Sequence, residues 1–126
     1  MGRGLKELLD ETRSRIQEIG VADAETLMKS ESELLFLDVR ESEELAGGRI
    51  SGALHVPRGV IEPKAAHDSP LREPQLSDFD RAIVVYCASG VRSALAADSL
   101  QGLGFSNVRS LAGGFGAWKN GGLPVE

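Results

Sequence analysis

The sequence predicts a three-layer α/β/α domain with a central parallel sheet. Two continuous apolar runs, Glu33-Leu34-Leu35-Phe36-Leu37-Asp38-Val39 and the segment from Arg81 to Tyr86, suit strands covered on both faces. Segments with helical character alternate with these runs, the pattern of strand–helix–strand units. A chain of 126 residues is long enough for one continuous core and favours a single domain.

Taken in order, Leu5, Leu8, Leu9, Ile16 and Ile19 with charged residues between them predict an amphipathic helix over 5–19. Residues 1–22 are expected to form an N-terminal helical extension and 23–126 the main domain. A second helix over 23–28 has Asp23 as its expected cap. The strand over 33–39 leads to a short helix over 41–45, stopped by Gly47-Gly48. Ala53-Leu54-His55-Val56 reads as a short strand closed by Pro57. Residues 58–80 contain Pro63, Pro70 and Pro74 and no sustained period, so a long surface excursion is expected. The strand over 81–86 precedes a helix over 93–102, with Gly102 or Gly104 as the stop. Asn107-Val108-Arg109-Ser110-Leu111 is a further strand. Gly113-Gly114 turns the chain into a last helix over 115–119.

Chemistry is legible at one place. The only cysteine, Cys87, ends a buried strand and is followed by Ala88-Ser89-Gly90-Val91-Arg92-Ser93 and a helix. Loops at the carboxyl ends of parallel strands are where open α/β sheets place their sites. The thiolate is the reactive form of cysteine, and a free thiol titrates near ~8.5. A helix N-terminus supplies unpaired N–H groups and partial positive charge, both of which lower that value. Ala88, Ser89 and Gly90 leave the backbone free to curl its amides into an anion nest. Arg92 adds a planar cationic fork suited to an oxyanion. A lone buried cysteine is often mere packing; the glycine, arginine and helix start that follow Cys87 favour the chemical reading. Ser89 and Ser93 are placed to donate to a bound anion, and Ser93 serves equally as a helix cap.

Other polar residues carry plainer readings. Asp38 and Arg40 at a strand end are expected to pair with each other, with Glu44 and Arg49 joining that network. Arg58 follows Pro57 at another strand end and is either a rim charge steering anions or a solvated side chain. His55 is expected in the core or at a sheet edge, and His67 in solvent. Two distant histidines and one thiol make no metal-ligand pattern. Phe115 and Trp118 are expected to pack the last helix on the sheet. Gly113-Gly114 lacks the three spaced glycines of a dinucleotide loop and instead allows close backbone approach to the cysteine loop.

The formal charge of −5 leaves no basic stripe for nucleic acid. No apolar run approaches the ~20 residues of a membrane helix, and the first ten residues lack a signal-peptide core. One thiol cannot form an internal disulfide, so a reducing compartment, most simply the cytoplasm, is expected.

The chain resembles a single-domain rhodanese, a sulfurtransferase, from Asp23 to Glu126. Four segments carry the resemblance: Leu37-Asp38-Val39-Arg40-Glu41, the glycine-rich turn and strand from Gly48 to Pro57, the loop from Cys87 to Ser93, and Gly113-Gly114-Phe115-Gly116-Ala117-Trp118. The family usually has histidine where this chain has Arg49, a change expected to alter local packing or charge. The resemblance implies the rhodanese-like α/β fold and a covalent two-step reaction. Cys87 takes the outer sulfur of thiosulfate or a similar donor as a persulfide. Ala88, Ser89, Gly90, Val91, Arg92 and Ser93 bind the substrate. Cyanide, a thiol or a sulfur-acceptor protein then takes the sulfur, and no metal or organic cofactor is required. Two other functions are weighed against this one. A persulfide carrier serving a partner protein would need the same residues. Cell-cycle dual-specificity phosphatases share the fold but place five residues between cysteine and arginine; here four intervene, giving a smaller cradle.

Overall fold

The computed structural model describes residues 2–126. Its centre is a parallel sheet of five strands in the order β1-β5-β4-β2-β3. These are β1 (Gln17–Ile19), β2 (Leu35–Asp38), β3 (Leu54–His55), β4 (Ile83–Tyr86) and β5 (Val108–Leu111). The α-helices are α1 (Leu5–Arg13), α2 (Val21–Ser30), α3 (Ile61–Ala65), α4 (Val91–Gly102) and α5 (Gly114–Asn120). The two central runs, β2 and β4, are buried at every position, as their unbroken apolar character requires.

Side chains alternate across the strands and build two cores. On one face Leu35, Leu37, Val85 and Val108 meet Ile61 and Ala65 of α3 and Ala96, Ala97 and Leu100 of α4. On the other, Phe36, Val84, Tyr86 and Leu111 meet Ala24 of α2 and Phe115 and Trp118 of α5. Trp118 is fully buried, sits edge-on to Phe36 and donates its indole N–H to the Pro124 carbonyl at 2.9 Å. The fold is therefore the three-layer α/β/α arrangement expected, with the last helix packed as its aromatic residues indicated.

Four readings need correction. The helix expected over 5–19 ends at Arg13, and 17–19 form the edge strand β1 beside β5. Ile16 and Ile19 share a face in a helix but take opposite faces in a strand. Here Ile16 packs into the first core and Ile19 into the second. The second helix starts at Val21, with Gly20 rather than Asp23 at its N-cap. The stretch over 58–80 is not a surface excursion. It folds as a 3-10 turn (Arg58–Val60), α3 and a second 3-10 turn (Pro74–Leu76), and Ile61, Ala65 and Leu76 are fully buried. Its apolar anchors are too sparse to give a period. The short helix expected over 41–45 is a 3-10 turn, Ser42–Gly47.

The junction of α5 with the cysteine loop demands glycine. The amide of Phe115 donates to the Cys87 carbonyl at 2.8 Å, and that of Gly116 to the Ala88 carbonyl at 3.2 Å. Gly114 has φ +56°, and a Cβ there would lie 2.5 Å from the Cys87 carbonyl oxygen. A Cβ on Gly116 would meet only the Ala88 oxygen, at 3.6 Å, an ordinary contact. Gly114→Ala should thus cost roughly 1–3 kcal/mol of stability and misplace the loop. Gly116→Ala, at a helical position, should be near neutral. Urea unfolding of both variants checks this contrast, and equal losses would contradict it.

Candidate active site

Cys87 follows the central strand β4, and α4 begins at Val91, so only four residues, Cys87 to Gly90, separate strand from helix. Gly90 makes this turn possible with φ +116°, a left-handed value that residues with a Cβ rarely adopt. The turn brings the Gly90 amide to 3.1 Å from Cys87 Sγ. The amides of Ser89 and Ser93 also act on the sulfur and favour its anionic form. Docking of α5 occupies the carbonyls of Cys87 and Ala88 from outside and steadies the loop in this curl.

Burial alone would push the Cys87 thiol up, since Cys87 is only 1% exposed. Bonds from the Ser93 amide and hydroxyl, with the amides of Gly90 and Ser89, outweigh it and bring the thiol below its usual value. This burial shelters the sulfur from bulk water.

Behind the thiol lies a hydroxyl pair. Ser93 Oγ is 3.6 Å from Cys87 Sγ and 2.8 Å from Ser110 Oγ. Both serines are fully buried. Ser93 is therefore not the helix cap, a position held by Gly90; its hydroxyl serves the sulfur. Ser110 was not singled out by the sequence, although alternation along β5 offered a signal. Val108 faces α4, so Ser110, two residues on, faces it too.

Ala88 and Ser89 are exposed at the loop tip, while Val91 and Arg92 are half-buried. Arg92 makes a two-pronged ion pair with Glu44, Nη1 to Oε1 at 2.5 Å and Nη2 to Oε2 at 3.0 Å. Glu44 thus departs from the expected network. Asp38 and Arg40 do pair, at 2.8 Å and almost without solvent contact. Arg40 reaches Glu44 only at its backbone carbonyl. Arg49 also stands apart, pairing with Glu126 at 3.6 Å. Arg58 lies at the carboxyl end of the sheet, where its amide donates to the Val39 carbonyl at 3.0 Å. Its Nε is buried without a partner among the described residues. His55 is half-buried, its Nε2 2.7 Å from the Arg40 carbonyl, and His67 is exposed, as each was read. Among the described residues, no group of three or more His, Cys, Asp or Glu side chains is arranged to hold a metal ion, and no helix is long and apolar enough to cross a membrane.

Comparison with known proteins agrees with this architecture. Residues 21–121 match the rhodanese-like domain, and the chain belongs to that family. A sulfurtransferase of Allochromatium vinosum is 35% identical over 106 residues, covering 82% of this chain and 91% of that one. Thiosulfate sulfurtransferase 16 of Arabidopsis thaliana, a chloroplastic protein, is 38% identical over 96 residues, covering 72% of this chain and 78% of that one. Among solved structures, a protein of unknown function from Rhodopseudomonas palustris, described as a possible tyrosine phosphatase, superposes with a TM-score of 0.93. It is 39% identical, with 100% of this chain and 96% of that chain covered.

The hydroxyl pair carries a prediction. Ser110→Ala frees the Ser93 hydroxyl to turn away from the sulfur, and Ser93→Ala removes the hydroxyl outright. Both should raise the Cys87 pKa, Ser93→Ala by more, and slow its alkylation at neutral pH several-fold. Rates of iodoacetamide labelling against pH, with thiolate absorbance, measure the shift. A Ser110→Ala profile identical to wild type would remove Ser110 from the site.

Proposed function

We propose that this chain is a sulfurtransferase that carries a sulfane sulfur on Cys87. The observation that carries the reading is the Cys87 sulfur at 3.1 Å from the Gly90 amide, within a turn that lowers its pKa. Membership of the rhodanese-like family and similarity to known sulfurtransferases support it.

The thiolate attacks the outer sulfur of a donor such as thiosulfate. The sulfur–sulfur bond of the donor breaks, sulfite leaves with the electron pair, and Cys87 becomes a persulfide. The loop amides that steadied the thiolate hold the persulfide anion in turn, as an oxyanion hole holds oxygen. A second nucleophile then attacks the outer sulfur and restores the thiolate. Cyanide serves in an assay; the same chemistry admits a small thiol or a cysteine of a partner protein. In this reading Arg92 borders the incoming donor, and Ala88, Ser89 and Val91 complete the rim. Arg58 is a candidate for a rim charge. The chemistry calls for no cofactor, and a reducing compartment such as the cytoplasm would keep the thiol free.

Phosphatase chemistry is the weaker reading. Four residues separate Cys87 from Arg92, and the thiol is nearly enclosed, so a tetrahedral phosphate has less room than one sulfur atom. Aryl-phosphate turnover should stay far below thiosulfate:cyanide turnover in the same preparation. Comparable rates would reverse the assignment.

Sulfur loading tests the main reading directly. Intact-mass measurement after incubation with thiosulfate should find one added sulfur on wild type, removed by a thiol reductant. Cys87→Ser should gain none. Sulfur retained by the serine variant would place the carrier elsewhere.

A further inference from the structure

The arginine of the loop is already engaged. Both terminal nitrogens of Arg92 donate to Glu44, at 2.5 and 3.0 Å, in the two-bond geometry that guanidinium and carboxylate prefer. Glu44 is fixed in turn. Its Oε1 accepts from the Glu41 amide at 2.9 Å, and its carbonyl accepts from Arg40 at 3.4 Å. Arg40 is itself anchored on buried Asp38. The bonds from Arg92 hold the Glu44 carboxyl down to about 2 against its burial, so it is ionised at any working pH. The side chains of the pair are 35% and 32% exposed, so solvent weakens their attraction without releasing it. Arg92 therefore offers an incoming anion little net positive charge. The chain as a whole adds no long-range attraction for an anion, since its formal charge is −5.

Resting on the sulfurtransferase reading above, we propose that Glu44 sets the charge preference for the sulfur donor. It favours persulfides whose organic group is uncharged or cationic over the dianion thiosulfate. Thiosulfate places its sulfonate charge beside a carboxylate that already consumes the arginine. An organic persulfide delivers its outer sulfur to the same amides without that repulsion. The step balances without an oxidant. The Cys87 thiolate attacks the outer sulfur of R–S–SH, the sulfur–sulfur bond of the donor breaks, and the thiolate R–S⁻ departs with the electron pair. The proton stays on the transferred sulfur. Glu44 acts through Arg92 and touches no reacting atom; its effect is on donor choice.

Single-turnover loading, followed by intact mass, tests this with two donors: thiosulfate and an alkyl persulfide with a hydroxyl tail released from a caged precursor. The wild type should load faster from the persulfide. Glu44→Gln should raise the thiosulfate-to-persulfide rate ratio about tenfold, the effect of removing one nearby charge. Glu44→Asp, which keeps the charge, should shift the ratio less. A ratio that is unchanged or falls in Glu44→Gln overturns the proposal, because Glu44 would then merely orient Arg92 for the anion. If Glu44→Gln does not fold by circular dichroism, the wild type alone decides the matter through salt. Thiosulfate loading that stays level or rises with ionic strength supports a neutralised arginine; a steep fall overturns it. Failure of folded wild type to load from either donor is a separate outcome and defeats the sulfurtransferase reading itself.

Discussion

Arg40 is 3% exposed, and the carboxyl edge of the sheet is assembled around its guanidinium. Its charge is met by Asp38 at the end of β2. Its outer nitrogens reach the carbonyls of Glu44, at 3.4 Å, and Gly48, at 2.9 Å, pinning the middle and the C-terminal end of the 3-10 turn between β2 and β3. Its flat face lies 4.5 Å from the centre of the Phe115 ring, on the helix that docks against the cysteine loop. One buried cation thus fixes the turn that carries Glu44 and the helix that steadies Cys87. Removing one member of such a pair leaves an uncompensated buried charge, which costs about 3–5 kcal/mol. The sulfur's hydrogen-bond partners are Gly90 and Ser93 rather than Asp38 or Arg40, yet the loop depends on both of these.

The cysteine loop keeps backbone and charge apart. Amides face the sulfur, and the Arg92 side chain pairs away from it with Glu44. Amides are suited to that position because they neither titrate nor swing away. The burial that makes the thiol hard to ionise also strengthens every bond to it, so a few well-aimed donors prevail. The Ser93 hydroxyl approaches the sulfur from behind and is itself held by Ser110 at 2.8 Å.

The sequence made the sulfur half of this site readable because its parts are local. Strand, cysteine, small residues and helix follow one another within a single turn, and φ-tolerant Gly90 marks the point where the chain reverses. The double glycine at 113–114 was readable as a close approach for the same reason: only a missing side chain explains two glycines at a helix start. The side-chain half was not readable. Three arginines and several carboxylates lie near the loop, and spacing alone does not decide that Glu44 takes Arg92 while Arg49 turns to Glu126. That choice depends on how the turn over 42–47 leans on Arg40. β1 escaped because two isoleucines three residues apart satisfy a helix as well as a strand. The core role of 58–80 escaped because Ile61, Ala65 and Leu76 act as single anchors rather than as a periodic face.

The sheet tapers from four residues in each of its three inner strands to three in β1 and two in β3. A long open edge is a template on which another chain can pair. Here one margin offers Gln17 and Glu18, which are exposed and polar, and the other ends almost as soon as it starts. Growth of the sheet from molecule to molecule is closed off at both margins. Any lasting association of this protein must therefore be made through helices and loops, and the strands stay a private interior.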